Sequence, residues 1–281
     1  MSDDLVIQAT AIAKADLDAI AALAGARETV ALHDATTAGY RLRDIRSRAG
    51  VAERCAAAGI DHAVVPEGLT RERVRLVAMD MDSTLITIEC IDEIADFVGI
   101  KPQIAAITAA SMRGEIDFRE SLTRRVALLA GLPVSALERV YVERLRLSPG
   151  AERMLAGFAA VGARSLLVSG GFTFFTDRLQ TRLGLDATLS NTLEIVDGRL
   201  TGRIEGAIVD AQAKAARFSA LRTELCVGGG NAVAIGDGAN DLPMLRAADV
   251  SVAYHAKPIV RAEARYAIDH CGLDAILNLF S

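Results

Sequence analysis

Apolar and polar positions alternate with different periods along the chain, and the changes of period mark its parts. Up to Pro66, short apolar runs at Leu5 to Ala9, Thr29 to Leu32, Tyr40 to Asp44 and Asp61 to Val65 predict strands. Apolar residues at three- and four-residue steps over Ala15 to Leu23 and Val51 to Ala58 predict helices between them. The resulting order, βαββαβ, makes a small α+β unit over residues 1–68, closed by the turn-forming Pro66-Glu67-Gly68. A short apolar run from Val74 to Met79, broken only by Arg75, then predicts a buried strand.

Beyond Asp82 the pattern turns helical. Ile91 to Val98, Ile104 to Met112, Phe118 to Leu129 and Ala136 to Leu145 each carry a helical apolar stripe, separated by Gly99 with Pro102, Gly114, Gly131 with Pro133, and Ser148-Pro149-Gly150. Four short helices in a row make a bundle rather than part of a sheet. From Arg164 strands and helices alternate: a strand to Val168, a helix Phe174 to Leu183, a hairpin turning at Asp197-Gly198, and a helix Ala211 to Leu225. A strand Ala232 to Ile235, a helix ending at Ala247, and strands Val250 to Ala253 and Tyr266 to Asp269 follow. This rhythm predicts an α/β domain over 69–281, a Rossmann-like parallel sheet covered on both faces, with a helical cap inserted at about 87–149.

Composition narrows the function classes. The chain has 281 residues, 51% of them apolar, and a formal charge of −5, with basic residues interleaved among acidic ones. That balance offers no electrostatic footprint for nucleic acid. No apolar run approaches the ~20 residues of a membrane span, and the start Met1-Ser2-Asp3-Asp4 is acidic where a secretory leader is basic, so a cytoplasmic protein is expected. Cys55, Cys90, Cys226 and Cys271 form no C-x-x-C pair, and the four histidines are scattered, which predicts neither a zinc site nor a disulfide framework.

Ligands of parallel sheets gather outside the carboxyl ends of the strands, and three polar clusters fall there: Asp80-to-Thr84, Ser169-Gly170-Gly171 and Gly236-to-Asp241. Asp80 and Asp82, two apart at the end of a strand, leave the backbone on one side. A carboxylate such as Asp80 can attack phosphorus if the added charge is neutralised and the departing oxygen protonated. Mg²⁺ meets the first need with hard oxygen ligands, and Asp80 with Asp237 at adjacent strand ends fits it. Asp82 can give and take the proton. The Ser169 hydroxyl, the N–H groups near Gly170 and Gly171 and the Lys214 ammonium can hold phosphoryl oxygens. Taken singly, each cluster is also an ordinary turn or a solvated charge.

Together, Asp80-Met81-Asp82-Ser83-Thr84, Ser169-Gly170-Gly171, Lys214 and Gly236-Asp237-Gly238-Ala239-Asn240-Asp241 resemble the four motifs of the haloacid dehalogenase-like phosphotransferases. The span from Val74 onward, with Ile88-Glu89-Cys90-Ile91-Asp92-Glu93-Ile94 and Ser121-Leu122-Thr123-Arg124-Arg125-Val126, is similar more closely to the phosphoserine phosphatases among them. The resemblance implies that Asp80 is the nucleophile and Asp82 the acid/base, with Asp80, Asp237 and the Asp82 carbonyl on the metal and Asp241 supporting that shell. It implies that Ser169, Gly170, Lys214 and Asn240 contact phosphate or substrate. Met81 replaces the Phe common at that position, a swap that leaves the chemistry untouched.

For O-phosphoserine, the same resemblance assigns the substrate ammonium to Glu89 and its carboxylate to Arg125, suited to bidentate pairing; without it, Glu89 is a first-turn helix charge and Arg125 a surface residue of an amphipathic helix. Met112 and Phe118 are expected to wall the pocket. The implied activity is Mg²⁺-dependent hydrolysis of O-phosphoserine to serine, the last step of serine biosynthesis. A phosphotransferase with an alcohol acceptor such as homoserine, and a phosphoacceptor or amino-acid-sensing regulatory module, remain alternatives at this stage. Residues 1–68 resemble an ACT-like regulatory domain of ferredoxin-like topology, whose open edge and apolar face predict a homodimer through that unit.

Overall fold

The protein is described here by a computed structural model of residues 3–226 and 228–281, so the reading at Met1 and Ser2 lies outside the described residues. The N-terminal unit runs β1 (Asp3–Ala9), α1 (Lys14–Ala24), β2 (Glu28–Leu32), β3 (Ala38–Arg43), α2 (Val51–Ala57) and β4 (Asp61–Pro66). Its four strands form an antiparallel sheet in the order β2-β3-β1-β4. Strand alternation sends Leu5, Ile7 and Leu42 to one face, where they pack on Ile20, Ala24, Val51 and Cys55 of the two helices.

The second sheet begins with β5 (Val74–Met79). It is followed by the cap: α3 (Cys90–Phe97), α4 (Lys101–Met112), α5 (Phe118–Ala127) and α6 (Ser135–Arg139), the last continuing as a wider turn through Val140–Arg144. Thr87 N donates to the Arg146 carbonyl, and Ile86 bridges Leu147, so the two cap connections lie side by side. Then come α7 (Ala151–Ala159), β6 (Arg164–Phe172), α8 (Thr173–Leu183), β7 (Ala187–Val196), β8 (Arg199–Glu205), α9 (Ala211–Leu225) and β9 (Asn231–Gly236). The chain ends with α10 (Leu242–Arg246), β10 (Val250–Tyr254), α11 (Pro258–Glu263), β11 (Tyr266–Ile268) and a 3₁₀ segment Leu273–Leu279. Strand order is β11-β10-β9-β5-β6-β7-β8. The chain moves outward from β5 on one side, then returns through α9 to build the other, so the switch point lies between β5 and β9.

Three features correct the sequence reading. The sheet is parallel except at its edge, where β8 runs antiparallel to β7 through the expected turn, with Asp197 and Gly198 at φ 49° and 74°. Helices α7 and α11 and the segment Leu273–Leu279 add to the elements that the apolar pattern predicts. All seven residues of that segment are buried, which erases any polar-apolar period. Most consequential, the second face of the N-terminal sheet is not free to meet a copy of itself. Val6, Ala63 and Val65 share one core with Tyr266, Ile268, Leu273 and Leu277. Among the described residues, no helix is long and apolar enough to cross a membrane.

Buried polar bonds seal that junction. Arg41 donates through Nη2 to the carbonyls of Asn278 and Phe280 at 3.0 and 2.9 Å, and Asn278 Nδ2 donates to Gln8 Oε1 at 2.9 Å. The Asp61 carboxylate, 4% exposed, accepts from the backbone N–H groups of Asp269, His270 and Cys271. Asp61→Ala strands those three donors and is expected to lower stability by on the order of 2 kcal/mol, read as a lower urea midpoint with an unchanged slope. An unchanged midpoint would show that the junction contributes nothing to the fold. A chain starting at Gly68 is likewise expected to aggregate, because it exposes the apolar surface that Val6 and Val65 cover.

Candidate active site

Met79 of β5 pairs in register with Ile235 of β9, and Asp80 N donates to the Ile235 carbonyl at 3.1 Å. The two strand ends therefore bring Asp80 and Asp237 out side by side at the switch point. After Asp80 the backbone turns sharply, with Ser83 at φ 57°, a left-handed conformation uncommon for a residue other than glycine. The turn buries the Asp80 carboxylate and lets Cys90 N, at the start of α3, donate to Asp82 Oδ1 at 3.0 Å. Ser83 Oγ donates to Glu89 Oε1 at 2.8 Å, and Thr84 Oγ1 to Asp237 Oδ1 at 3.2 Å.

Beneath this turn, Lys214 Nζ donates to Asp80 Oδ1 at 2.7 Å and to Asp241 Oδ1 at 2.9 Å, with Lys214 only 1% exposed. It is brought there by α9, whose N-cap Asp210 accepts from Ala213 N. Asp241 Oδ2 accepts from Gly238 N, and a Cβ at Gly236 would lie 2.5 Å from that oxygen, so the Gly-Asp-Gly approach needs its first glycine. Carboxylate oxygens of Asp80, Asp237 and Asp241 lie within 4.8 Å of one another.

The electrostatics follow from burial. Burial pushes Asp80 well above the usual carboxylate range, Asp241 adds to the rise, and Lys214 opposes it. Burial and then Glu89 raise Asp82 to about 7, against the Cys90 N–H. Asp237 rises to about 6 through burial, Asp241 and Glu89. Burial alone would lower Lys214, but Asp241 and Asp80 outweigh it and hold its proton more tightly than usual. Three crowded carboxylates around one buried ammonium carry more negative charge than that ammonium balances, and every donor is a hard oxygen. The set fits a divalent cation.

A raised carboxyl binds its proton more tightly when folded, so its stabilising share exists at low pH and is lost as pH climbs through the folded value. The metal-free chain is expected to lose thermal stability between the ordinary 3.8 and about 7, the span over which Asp237 and Asp82 ionise. Unfolding scans in chelator across that window test it, and a midpoint that climbs throughout would contradict the assignment.

Above the carboxylates, the cap closes a cavity of about 220 Å³. Asp80, Asp82, Gly170 and Asp237 form its floor with Asn240, while Glu89, Met112, Phe118 and Arg125 come from the cap. The Phe118 ring sits so close to Gly170 that an added Cβ would meet it at 3.0 Å. Ser169, Lys214 and Asp241 are buried just behind the floor rather than lining it. The cavity wall also includes Thr108, Ser111 and Lys257, which the sequence reading missed. Lone polar residues on helices carry no signal until the cap is folded over the sheet; Lys257, at the start of α11, was hidden with that helix.

A family model described as haloacid dehalogenase-like hydrolase matches residues 77–246, and a second, described as a domain of unknown function, matches residues 5–51. A phosphoserine phosphatase of Polaromonas sp. is 54% identical over 210 residues, covering 73% of this chain and 89% of that protein. The crystal structure of a probable phosphoserine phosphatase from Vibrio cholerae, in unliganded form, is similar at a TM-score of 0.84 and 36% identity, over 98% of this chain and 85% of that one. A phospho-aspartyl intermediate analogue of a phosphoserine phosphatase matches at a TM-score of 0.67 and 35% identity, over 74% of this chain and 99% of that chain.

Proposed function

This chain belongs to the haloacid dehalogenase-like hydrolase family, and from that premise we propose that it hydrolyses O-phosphoserine to serine and phosphate, the last step of serine biosynthesis. The observation that carries the reading is one cavity that joins a buried Asp80 on its floor to an acid, Glu89, and a base, Arg125, on its roof. Phosphoserine presents a phosphate, an ammonium and a carboxylate, and these three groups match that arrangement.

In the reaction proposed, a carboxylate oxygen of Asp80 attacks phosphorus, and the bond from phosphorus to the serine oxygen breaks. Lys214, bonded to Asp80 Oδ1, orients the carboxylate and favours its ionised form against the effect of burial. The departing serine oxygen takes a proton from Asp82, whose Oδ1 is held by Cys90 N and whose raised proton affinity keeps that proton available near neutrality. Water then attacks the acyl phosphate and gives a proton back to Asp82, and the bond from phosphorus to Asp80 breaks, releasing phosphate. Asp80, Asp237 and the Asp82 carbonyl, with Asp241 in support, would hold Mg²⁺, which would supply positive charge toward the phosphoryl oxygens. The Gly170 peptide and Asn240, which line the cavity, bind those oxygens or the substrate, Ser169 reaches them from just behind the floor, and Met112 and Phe118 wall the cavity.

Arg125 is half-buried and, among the described residues, paired with no carboxylate; its Nε donates at 3.4 Å to the Ser121 carbonyl. Arg125→Ala is expected to reduce kcat/KM on O-phosphoserine roughly ten- to a hundredfold, the worth of a charge-assisted bond at about 1.5–3 kcal/mol. Phosphoethanolamine, which lacks the carboxylate, should be nearly unaffected, and equal losses on both esters would remove Arg125 from the specificity role. Steady Mg²⁺-dependent phosphate release from O-phosphoserine, with phosphothreonine and homoserine phosphate as controls, tests the function itself.

The same reading divides the chain into an ACT-like regulatory domain of ferredoxin-like topology, 1–68, and a phosphatase domain, 69–281, with its cap at about 87–149. The strand order β2-β3-β1-β4 supports the first assignment. With one sheet face on the helices and the other on the phosphatase domain, homodimerisation through this unit would have to use an edge of the sheet, β2 or β4, or the outer side of the two helices, and light scattering on the full chain tests it.

A further inference from the structure

The geometry points to Asn191 as a positioning residue for phosphoryl binding, an inference that rests on the phosphatase reading above. Strands β6 and β7 pair at Val168 with Leu189 and again at Phe172 with Asn191, so residues 169–171 bulge out opposite the single Ser190. The bulge is the Ser169-Gly170-Gly171 loop. Asn191, 1% exposed, lies behind it: Nδ2 donates to the Gly170 carbonyl at 2.8 Å, and Oδ1 accepts from Val209 N at 2.8 Å. A carbonyl only accepts and a backbone N–H only donates, so the amide can sit in one orientation.

The consequence passes along the backbone. In a trans peptide the C=O and the next N–H point opposite ways, so fixing the Gly170 carbonyl aims the Gly171 N–H to the other side. There it donates to Ser169 Oγ at 2.8 Å. With that oxygen already accepting, the Ser169 hydroxyl proton is left to be donated to a phosphoryl oxygen. A side chain at 171 could not share the space, since a Cβ there would lie 2.9 Å from Asp82 Oδ2. The other end of the amide holds Val209, the residue before the N-cap Asp210 of α9, the helix that carries Lys214. Asn191 thus ties the phosphate loop to the ammonium beneath Asp80 through two bonds of one side chain.

The test uses the full chain with Mg²⁺. Asn191→Asp keeps the acceptor for Val209 and loses the donor to Gly170, whereas Asn191→Ala loses both. Each is expected to lower kcat/KM roughly ten- to a hundredfold on O-phosphoserine and on p-nitrophenyl phosphate, and to weaken inhibition by inorganic phosphate in step. Because the effect runs through Ser169, Asn191→Asp should cost less than about threefold when made in a Ser169→Ala background. Parental kcat/KM in a folded variant, or losses that multiply in full in the double variant, would overturn the proposal. If Asn191→Ala does not fold, the nearly isosteric Asn191→Asp carries the cycle alone. Parent protein that turns over p-nitrophenyl phosphate but not O-phosphoserine would contradict the substrate reading and leave this cycle readable.

Discussion

Asp80→Asn is expected to cut phosphoserine turnover by roughly 10⁴-fold or more, the scale on which removal of an attacking group is felt. The amide occupies nearly the same volume but is no nucleophile. Lys214 keeps its bond to Asp241, so the buried ammonium is not orphaned. Burial and Asp241 press against ionisation of Asp80, and the neutral amide relieves that conflict. The metal-free variant is therefore expected to unfold at or above the temperature of the metal-free parent. A folded Asp80→Asn protein with more than a few per cent of parental kcat would exclude Asp80 as the attacking group.

Asp82→Asn is expected to cost roughly 10²–10⁴-fold, the usual reach of a positioned acid/base. The loss falls on both halves of the reaction, because the same carboxyl protonates the serine oxygen and later receives a proton from water. With Asp82 raised to about 7, the parent should also lose its acid form as pH rises past neutrality, and the variant should lose that dependence. Comparing pH profiles of the two proteins on O-phosphoserine measures this, and parallel profiles would assign the proton to another group.

The parts of the fold that were legible in the sequence are those whose signal is local. The run Val74 to Met79 ends in Asp80, and charge at the end of a buried strand stands out in any context. Asp197-Gly198 fixes a hairpin because that turn requires positive φ at both positions. Helix α9 has the bounds that its pattern predicts, Ala211 to Leu225, and the structure adds Asp210 as its cap. What escaped depends on packing between distant segments. Leu273–Leu279 has no period because it is buried all round, and the N-terminal face that it covers looked free for that reason alone. In helix α7, Ala151, Met154 and Phe158 recur at helical steps, but the helix is short and follows directly on the Ser148-Pro149-Gly150 break. Asn191 is, in the sequence, one polar residue in a strand. Its two partners lie 21 and 18 residues away, a relation that no spacing rule encodes.

In the reaction proposed, the phosphoryl group passes through Asp80. Brief incubation of the Mg²⁺-loaded chain with ³²P-labelled O-phosphoserine, acid quenching and peptide mapping tests it most directly. An acid-stable, base-labile acyl phosphate is expected on the peptide containing Asp80 and absent from Asp80→Asn; label recovered on Asp82 or on a serine, or phosphate released with the Asp80→Asn protein at the parental rate, would rule that route out.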